Sequence, residues 1–307
     1  MAATFTCSQC VYSDSSGVVP RFCPRCGLAV DAAAECDEPI ELRLSTGPVT
    51  VRNRLAMGDL CNLYRCDLSG SKRGGVFKIA RSYRGNPHVA REAETLRRLH
   101  EADREARYAP FLPVHVGSIQ YSQDDKEPDR LVNVLSYFEG ITGPDDLYSL
   151  EQVRAAYPNG LDARDMAWIW RRLLTILGFV HQQNLAHTAV TPDHILIEPR
   201  EHKLILIAFS AAAPFGMLPY LAPMRWRKWY PSAASGTFVA SAQNDLLFAA
   251  NSMSYLIGKN VEPGISRHMQ RAGETRDAWK LLDDFDKLIE VLWGPRQFRL
   301  LEMPRTV

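Results

Sequence analysis

Two pairs of cysteines near the N-terminus constrain the folding of this chain more than any other feature. Each pair has the spacing Cys-x-x-Cys, and twelve residues separate the pairs, which consist of Cys7, Cys10, Cys23 and Cys26. Four thiolates at this spacing can complete a tetrahedral zinc shell, and a segment of about 30 residues needs such a staple because it cannot build an adequate core. We predict a structural zinc ribbon over residues 1–30, with a redox dithiol pair as the alternative.

The composition bounds the architecture and the class of partner. The 307 residues are 46% hydrophobic and 23% charged, which suits a globular chain of two lobes with a small appendage. Lys and Arg number 36 against 35 Asp and Glu, so net charge gives no case for nucleic acid or anionic lipid as a partner. The sequence has no apolar run of about 18 residues and no N-terminal export signal. We therefore expect a cytoplasmic protein with no membrane span, in which the paired thiols bind metal.

Predicted strands fill the first half of the chain and predicted helices the second. A connector, residues 31–46, precedes the strands. Apolar runs between glycine-containing turns predict strands, and apolar residues at every third or fourth position predict helices, with Asp162 as an N-cap and Gly258 as a stop. This order is typical of an α+β protein. The strands are Val49–Leu55, Asn62–Asp67, Val76–Arg81, Val114–Gln120 and Arg130–Phe138, and the helices are Pro87–His100, one that follows Asp162, Asp245–Ile257 and Asp277–Trp293.

The segment from His187 to Ser210 resembles the catalytic loop and the metal-binding loop of eukaryotic-type protein kinases. It reads His-Thr-Ala-Val-Thr-Pro-Asp-His-Ile-Leu and later Ala-Phe-Ser, where kinases have His-Arg-Asp-Leu-x-Pro-Glu-Asn-Ile-Leu and Asp-Phe-Gly. The resemblance spans about residues 49–300 and implies an α+β, two-lobed protein-kinase-like fold after the zinc ribbon. The strand-rich lobe would cover residues 47–138 and the helical lobe residues 139–307.

The resemblance also implies that the groups for phosphoryl transfer are missing. Ala189 stands at the position of the base aspartate, His194 at that of the magnesium-binding asparagine and Ala208 at that of the magnesium-binding aspartate. Loss of a positioned base alone lowers a rate by about 10²–10⁴. Loss of both magnesium side chains also removes the charge neutralisation that the reaction requires. We therefore predict a pseudokinase, not an enzyme, with zinc as a structural metal and without ATP or magnesium as cofactors.

Four positions match the nucleotide pocket of kinases. Gly58 is the only glycine of the usual three in the phosphate-binding loop, which lowers the expected grip on phosphate. Val76 stands where kinases usually have alanine, and its extra methyl groups would crowd an adenine ring. Lys78 and Glu92 match the phosphate-pairing lysine and its glutamate partner. This pair would serve either ATP or the attachment of the helix to the sheet.

Four other positions match the architecture of kinases and not their chemistry. Leu96, His187 and Phe209 match members of the apolar spine that links the two lobes. Asp245 matches the aspartate by which a central helix anchors the catalytic loop. The resemblance therefore implies a chain that keeps the packing of a kinase while its reactive groups are replaced.

A short segment mixes cations with aromatic rings, Arg225-Trp226-Arg227-Lys228-Trp229. Three interpretations of it stay open. The indoles could be buried against the helical lobe with solvated cations beside them. The segment could instead be a surface for a protein partner, for which Trp and Arg are preferred residue types. It could also stack on single-stranded nucleic acid.

Three phrases, residues 58–64, 165–174 and 298–304, are similar to bacterial kinase-like proteins encoded near von Willebrand factor A proteins and metal-dependent protein phosphatases. This resemblance implies a scaffold or regulator in a bacterial multiprotein system, with those two proteins as candidate partners. One alternative is an atypical ATP-binding Ser/Thr kinase or nucleotidyl transferase in which Asp193 or His194 recruits the metal. A second alternative is a nucleic-acid-binding adaptor that uses the zinc ribbon and the basic, aromatic segment.

Overall fold

The protein is described by a computed structural model that covers residues 5–6, 13–14, 39–70, 74–122, 128–137, 141, 146–218, 224–230, 238–258 and 261–303. Near the N-terminus, β1 (Phe5–Thr6) pairs antiparallel with β2 (Ser13–Asp14). The four cysteines predicted to bind zinc lie outside the described residues, so the zinc ribbon stays a prediction.

The chain divides into two compact units. One comprises Met1–Val89 and Val116–Leu135, and the other comprises Ala90–His115 and Ser136–Val307. Helix α1 (Asn86–Ala102) begins among residues of the first unit and continues among those of the second. Within the ranges that the structure describes, no helix is both long and apolar enough to cross a membrane.

The first unit contains most of a six-stranded sheet with the order β3-β4-β5-β6-β8-β7. The edge strand β3 lies within residues 31–46, which were predicted to be a connector. This part of the chain forms a strand because Ile40 and Leu42 pack against the core and Leu44 is buried in it. The strands are β3 (Ile40–Leu44), β4 (Gly47–Met57), β5 (Cys61–Leu68), β6 (Gly74–Ala80), β7 (Val114–Tyr121) and β8 (Arg130–Ser136). The core of this unit is formed by Leu44, Val49, Val51, Cys66, Phe77, Ile79, Val132 and Val134.

Both cysteines of β5 are buried thiols. Cys61 is 4% exposed and Cys66 is fully buried. Burial raises the pKa of the Cys66 thiol to about 12, so the thiol stays protonated at neutral pH. These two residues act as small hydrophobic side chains and not as nucleophiles.

The second unit is mainly helical, and its helix α3 packs against α4 and α6. The predicted N-cap Asp162 is confirmed, since its carboxylate accepts the amide of Arg164 at 2.8 Å. The predicted stop at Gly258 is confirmed as well, with φ at +75°. The helices are α2 (Leu150–Ala156), α3 (Ala163–Gln182), α4 (Ala242–Ile257), α5 (Pro263–Ala272) and α6 (Ala278–Trp293). Short strands connect them, β9 (Tyr148–Ser149), β10 (Leu185–Ala186), β11 (Ile195–Glu198), β12 (Lys203–Leu206) and β13 (Ala213–Pro214).

Two features of the helices differ from the prediction. Helix α4 begins at Ala242, three residues earlier than predicted, because the hydroxyl of Ser241 accepts the amide of Asn244 at 3.2 Å and caps the helix there. Helices α2 and α5 were not predicted, since seven and ten residues give little periodicity. Their caps are Ser149 and Glu262.

The residues that follow α6 pack along the second unit. The ring of Phe298 stacks on His202 at 4.3 Å, and His202 in turn stacks on Trp168 of α3 at 4.3 Å. The Arg299 guanidinium lies 3.3 Å from the carboxylate of Asp162, and its carbonyl lies 2.6 Å from Nε2 of His202. We name residues 294–303 the C-terminal strap.

Candidate functional site

A fully buried aspartate, Asp245 in the first turn of α4, holds the candidate site together. Its Oδ2 accepts the backbone amide of His187 at 2.7 Å, and its Oδ1 accepts that of Thr188 at 2.8 Å. Nε2 of His181 lies 3.0 Å from Oδ2, and because a carboxylate only accepts, this nitrogen is the donor. These three bonds tie the loop that follows β10 to helices α3 and α4.

Thr188 carries two further hydrogen bonds within this loop. Its hydroxyl donates to the carbonyl of Ala211 at 2.8 Å, and its carbonyl accepts the hydroxyl of Tyr230 at 2.7 Å. Burial, and then the charges of Asp245 and Asp193, raise the pKa of Tyr230 well above its ordinary value, so the phenol remains a donor. The backbone of Thr188 is left-handed, with φ at +62°, and these contacts hold it there.

His187 packs edge-on against Phe209, with ring centroids 4.7 Å apart and an angle of 84°. Its Nε2 donates to the carbonyl of Ile207 at 2.8 Å, while Nδ1 accepts the amide of Ala189 at 3.3 Å. Burial lowers the pKa of His187 to about 4, so the ring is neutral at pH 7. The structure therefore brings together His187 and Phe209, two of the residues matched to the spine.

His194, which the resemblance matches to the magnesium-binding asparagine, turns its imidazole toward the backbone. Nδ1 lies 2.9 Å from the carbonyl of Ala189, so Nδ1 carries the proton in this contact. The hydroxyl of Thr191 lies 3.0 Å from the same nitrogen. Ala189 is fully buried and presents only a methyl group where the resemblance places a base.

Ala208, which the resemblance matches to the metal-loop aspartate, has a left-handed backbone with φ at 69° and ψ at 41°. It precedes the 3₁₀ helix Phe209–Ala211. A left-handed conformation costs a residue with a β-carbon about 1–2 kcal/mol. The position therefore keeps a specialised backbone although its side chain supplies no ligand.

The carboxylate of Asp193 accepts a hydrogen bond from the chain's own aromatic segment. Its Oδ1 accepts the indole Nε1–H of Trp226 at 2.8 Å and the hydroxyl of Thr191 at 2.6 Å. Beside it, the Arg225 guanidinium lies 2.8 Å from Glu151. Burial raises the pKa of Glu151, Arg225 opposes this shift and the charge of Asp193 adds to it.

Few ligand atoms remain for a metal ion in this loop. The Oδ2 atom of Asp193 and the Nε2 atom of His194 lie 3.9 Å apart. Magnesium is usually bound by carboxylate oxygens, phosphate and water, so a lone carboxylate beside an imidazole fits it poorly. In the described part of the chain, no group of three or more His, Cys, Asp or Glu side chains could hold a metal ion.

The residues matched to the nucleotide pocket are divided between the two units. Gly58 follows β4, and Val76 and Lys78 lie in β6 with 5% and 7% exposure. These three belong to the first unit. Glu92 lies in α1, is buried, and belongs to the second unit, as does Leu96 of the spine.

Sequence reasoning missed His181 and Glu151, which contact the site through long-range hydrogen bonds. Their partners are 64 and 74 positions away along the chain, and no local pattern signals such a contact. The hydrogen bond of Tyr230 to Thr188, 42 positions away, was not predicted either. Thr191 was missed too, although it lies two residues before Asp193 and a threonine at that spacing commonly bonds to a neighbouring turn residue.

No family model matches the chain, and no curated protein sequence matches it. Solved structures are similar in fold. The BubR1 kinase domain superposes with a TM-score of 0.61 at 12% identity, covering 82% of this chain and 83% of that one. Vaccinia related kinase 3 superposes with a TM-score of 0.60 at 14% identity, covering 82% of this chain and 90% of that one. The chain therefore has a protein-kinase-like fold.

Proposed function

We propose that the chain is a pseudokinase, a kinase-fold module that transfers no phosphate and acts as a scaffold or regulator in a bacterial multiprotein system. The observation that carries this proposal is the set of side chains at three positions, Ala189, His194 and Ala208. A methyl group can neither accept a proton nor bind magnesium. The imidazole of His194 directs its Nδ1 at the carbonyl of Ala189, 2.9 Å away.

The magnitudes favour loss of activity over slow activity. A missing base alone costs about 10²–10⁴ in rate, which a slow kinase could tolerate. Phosphoryl transfer depends almost entirely on positioning and on charge neutralisation by magnesium, however. The Ala208 and His194 positions remove the side-chain oxygen ligands through which that ion would be held. The two losses affect the same step and therefore compound.

The contacts that remain support a role in binding. The bonds of Asp245 to the loop amides and the contact of His187 with Phe209 stabilise the fold and require no nucleotide. A rigid fold without reactive groups presents a defined surface, and function then depends on what that surface contacts. Candidate partners are the von Willebrand factor A protein and the metal-dependent phosphatase that the resemblance implies. Affinity purification of the native protein followed by mass spectrometry tests this choice.

Thermal unfolding with ATP and Mg²⁺ tests the absence of nucleotide chemistry. A ligand at a hundred times its Kd would stabilise the fold by about 2.7 kcal/mol. We expect no metal-dependent rise in Tm and no transfer of label from [γ-³²P]ATP. Lys78→Ala is the matched control, because it removes the lysine that would contact phosphate. A rise in Tm with turnover, both lost in Lys78→Ala, would overturn the proposal.

A second candidate function is an atypical ATP-dependent kinase or nucleotidyl transferase. It is favoured by the proximity of Asp193 Oδ2 and His194 Nε2, 3.9 Å apart, as a partial metal site. [α-³²P]ATP reports nucleotidyl transfer and [γ-³²P]ATP reports phosphoryl transfer, each assayed with Mg²⁺ or Mn²⁺. Activity lost in Asp193→Asn but kept in Asp283→Asn, an exposed aspartate, would support this candidate. Absence of label from both substrates excludes it.

A further inference from the structure

We propose that the 3₁₀ helix Met224–Trp229 is a pre-organised docking element for an acidic segment of a protein partner. This inference rests on the proposed role as a binding module and adds the chemistry of the partner. Three observations support it: the contacts that fix the helix in place, the exposure of its cations and the placement of its aromatic rings.

Two aromatic side chains anchor the helix to the loop after β10. Trp226 is 9% exposed, donates its indole N–H to Asp193 at 2.8 Å and packs edge-on against Tyr255 with ring centroids 5.4 Å apart. Tyr230, just beyond the helix, is 8% exposed and donates its hydroxyl to Thr188 at 2.7 Å. Six residues of 3₁₀ helix would not hold one conformation alone. The two anchors fix this helix in place.

The anchored helix presents its cations outward. The Arg225 side chain is 68% exposed although its guanidinium also contacts Glu151. Arg227 and Lys228 are exposed, and neither makes an ion pair with any residue that the structure describes. Trp229 is partly exposed beside them. Among the residues that the structure describes, these two positive charges therefore have no ion-pair partner, and they lie next to residue types that are enriched at the centres of protein interfaces.

The placement of the rings favours a protein partner over single-stranded nucleic acid. Nucleic-acid binding of that kind needs several exposed rings along a basic groove, so that successive bases can stack. Trp226 and Tyr230 are buried, which leaves Trp229 as the partly exposed ring of the segment. The net charge of the chain is only +1, so no broad positive field would attract a polyanion. A short acidic peptide requires only local charge and a fixed surface.

The hydrogen bond from the Trp226 indole to Asp193 keeps the helix ordered before any partner binds. A surface that is already ordered loses less conformational entropy when it binds. Removal of the N–H should loosen the helix without changing its charges. Trp226→Phe therefore separates the contribution of order from that of charge.

The test is a fluorescence anisotropy titration of the full chain with a fluorescein-labelled deca-glutamate peptide, without nucleotide, in buffer of low ionic strength. We expect binding that the double variant Arg227→Glu and Lys228→Glu weakens by at least about tenfold. The matched control, Arg104→Glu with Arg267→Glu, makes the same charge change at two exposed cations elsewhere and should bind within about twofold of the wild type. Trp226→Phe should bind more weakly than the wild type and more tightly than the double variant.

Three outcomes would overturn the inference. They are no binding by the wild type, equal affinity of the two double variants, and tighter binding of a labelled dT20 oligonucleotide than of the peptide, which would assign the surface to nucleic acid. Thermal unfolding of each variant shows that it is folded. Because nucleotide is absent, failure of this test leaves the proposed loss of phosphoryl transfer unaffected, and turnover in the ATP assays leaves the docking result intact.

Discussion

Oδ1 of Asp245 lies 2.8 Å from the backbone nitrogen of Thr188, a residue 57 positions earlier in the chain. Thr188 has a left-handed backbone, in which its amide cannot join a regular helix or strand. A buried amide without a partner is costly. The carboxylate of Asp245, in α4, therefore supplies the acceptor for the amide of Thr188, which the hydrogen bonding of a regular helix or strand does not provide here.

We predict that Asp245→Ala destabilises the protein by about 3–5 kcal/mol, because removal of one member of a buried, hydrogen-bonded charged cluster leaves the others unpaired. The amides of His187 and Thr188 and the ring of His181 would all lose their acceptor. Urea unfolding measures the change. Asp283→Ala, which removes an exposed partner of Lys287, should cost less than about 1 kcal/mol. Equal losses in the two variants would contradict the central role of Asp245.

We predict that Ala208→Gly stabilises the fold by up to about 1 kcal/mol. The substitution relieves a left-handed backbone that costs about 1–2 kcal/mol, and the greater freedom of glycine in the unfolded chain offsets part of the gain. Ala90→Gly, at an exposed position inside α1, should instead lower the free energy of unfolding by about 1 kcal/mol. Opposite signs in urea unfolding are the expected result. A loss in Ala208→Gly would mean that the backbone there is not strained.

We predict that the protein loses stability as the pH falls from about 6.5 to about 4. Burial lowers the pKa of His187 and of His268 to about 4, and for His268 the nearby Arg271 adds to the effect. The unfolded chain binds protons on both rings first, so acid favours unfolding in this window. The loss in the free energy of unfolding reaches about 3 kcal/mol for each ring and levels off below the pKa of the folded state.

His268→Phe isolates half of this pH dependence. The ring of His268 lies between Trp170 and Phe285. Its Nε2 makes no hydrogen bond with the residues that the structure describes, so an apolar phenylalanine ring can replace the imidazole without loss of a bond at that atom. Thermal unfolding between pH 7 and pH 4 should show about half the wild-type slope in this variant. An unchanged slope would show that His268 does not bind its proton differently in the folded state.

We predict one zinc ion per chain, bound by the cysteine pairs at the N-terminus. Removal of a ligand from a tetrahedral thiolate shell should release the metal and unfold the ribbon. Elemental analysis of Cys7→Ser and Cys23→Ser should therefore show little zinc. Cys36→Ser is the control, because Cys36 has no partner at metal-binding spacing. Undiminished zinc in both ligand variants would remove the assignment.

Local signals predicted the elements well. Asp162 caps α3 and Gly258 ends α4 as their residue types indicate, because capping is a matter of a few neighbouring atoms. The resemblance around His187 indicated the kinase-like fold, which the solved structures support. Strand β3 escaped prediction because its five residues pair with β4, whose contribution a local pattern does not contain.

The details of the candidate site depended on long-range contacts. The interpretation of the basic, aromatic segment stayed open because burial of Trp226 depends on Asp193, 33 positions away. The conformation of His194 was equally inaccessible, since either ring nitrogen could have faced the loop. Residue type together with the resemblance predicts which groups are missing at Ala189 and Ala208. It could not show what the neighbouring side chains do instead.

The C-terminal strap is a structural part of the second unit. Phe298 and His202 cover one face of the Trp168 indole, and Arg299 brings a positive charge to the carboxylate that caps α3. A chain shortened at Trp293 would uncover the face of His202 that Phe298 stacks on and leave the helix start without the cation of Arg299. Fusion partners and affinity tags are therefore better joined beyond residue 303 than to α6 itself.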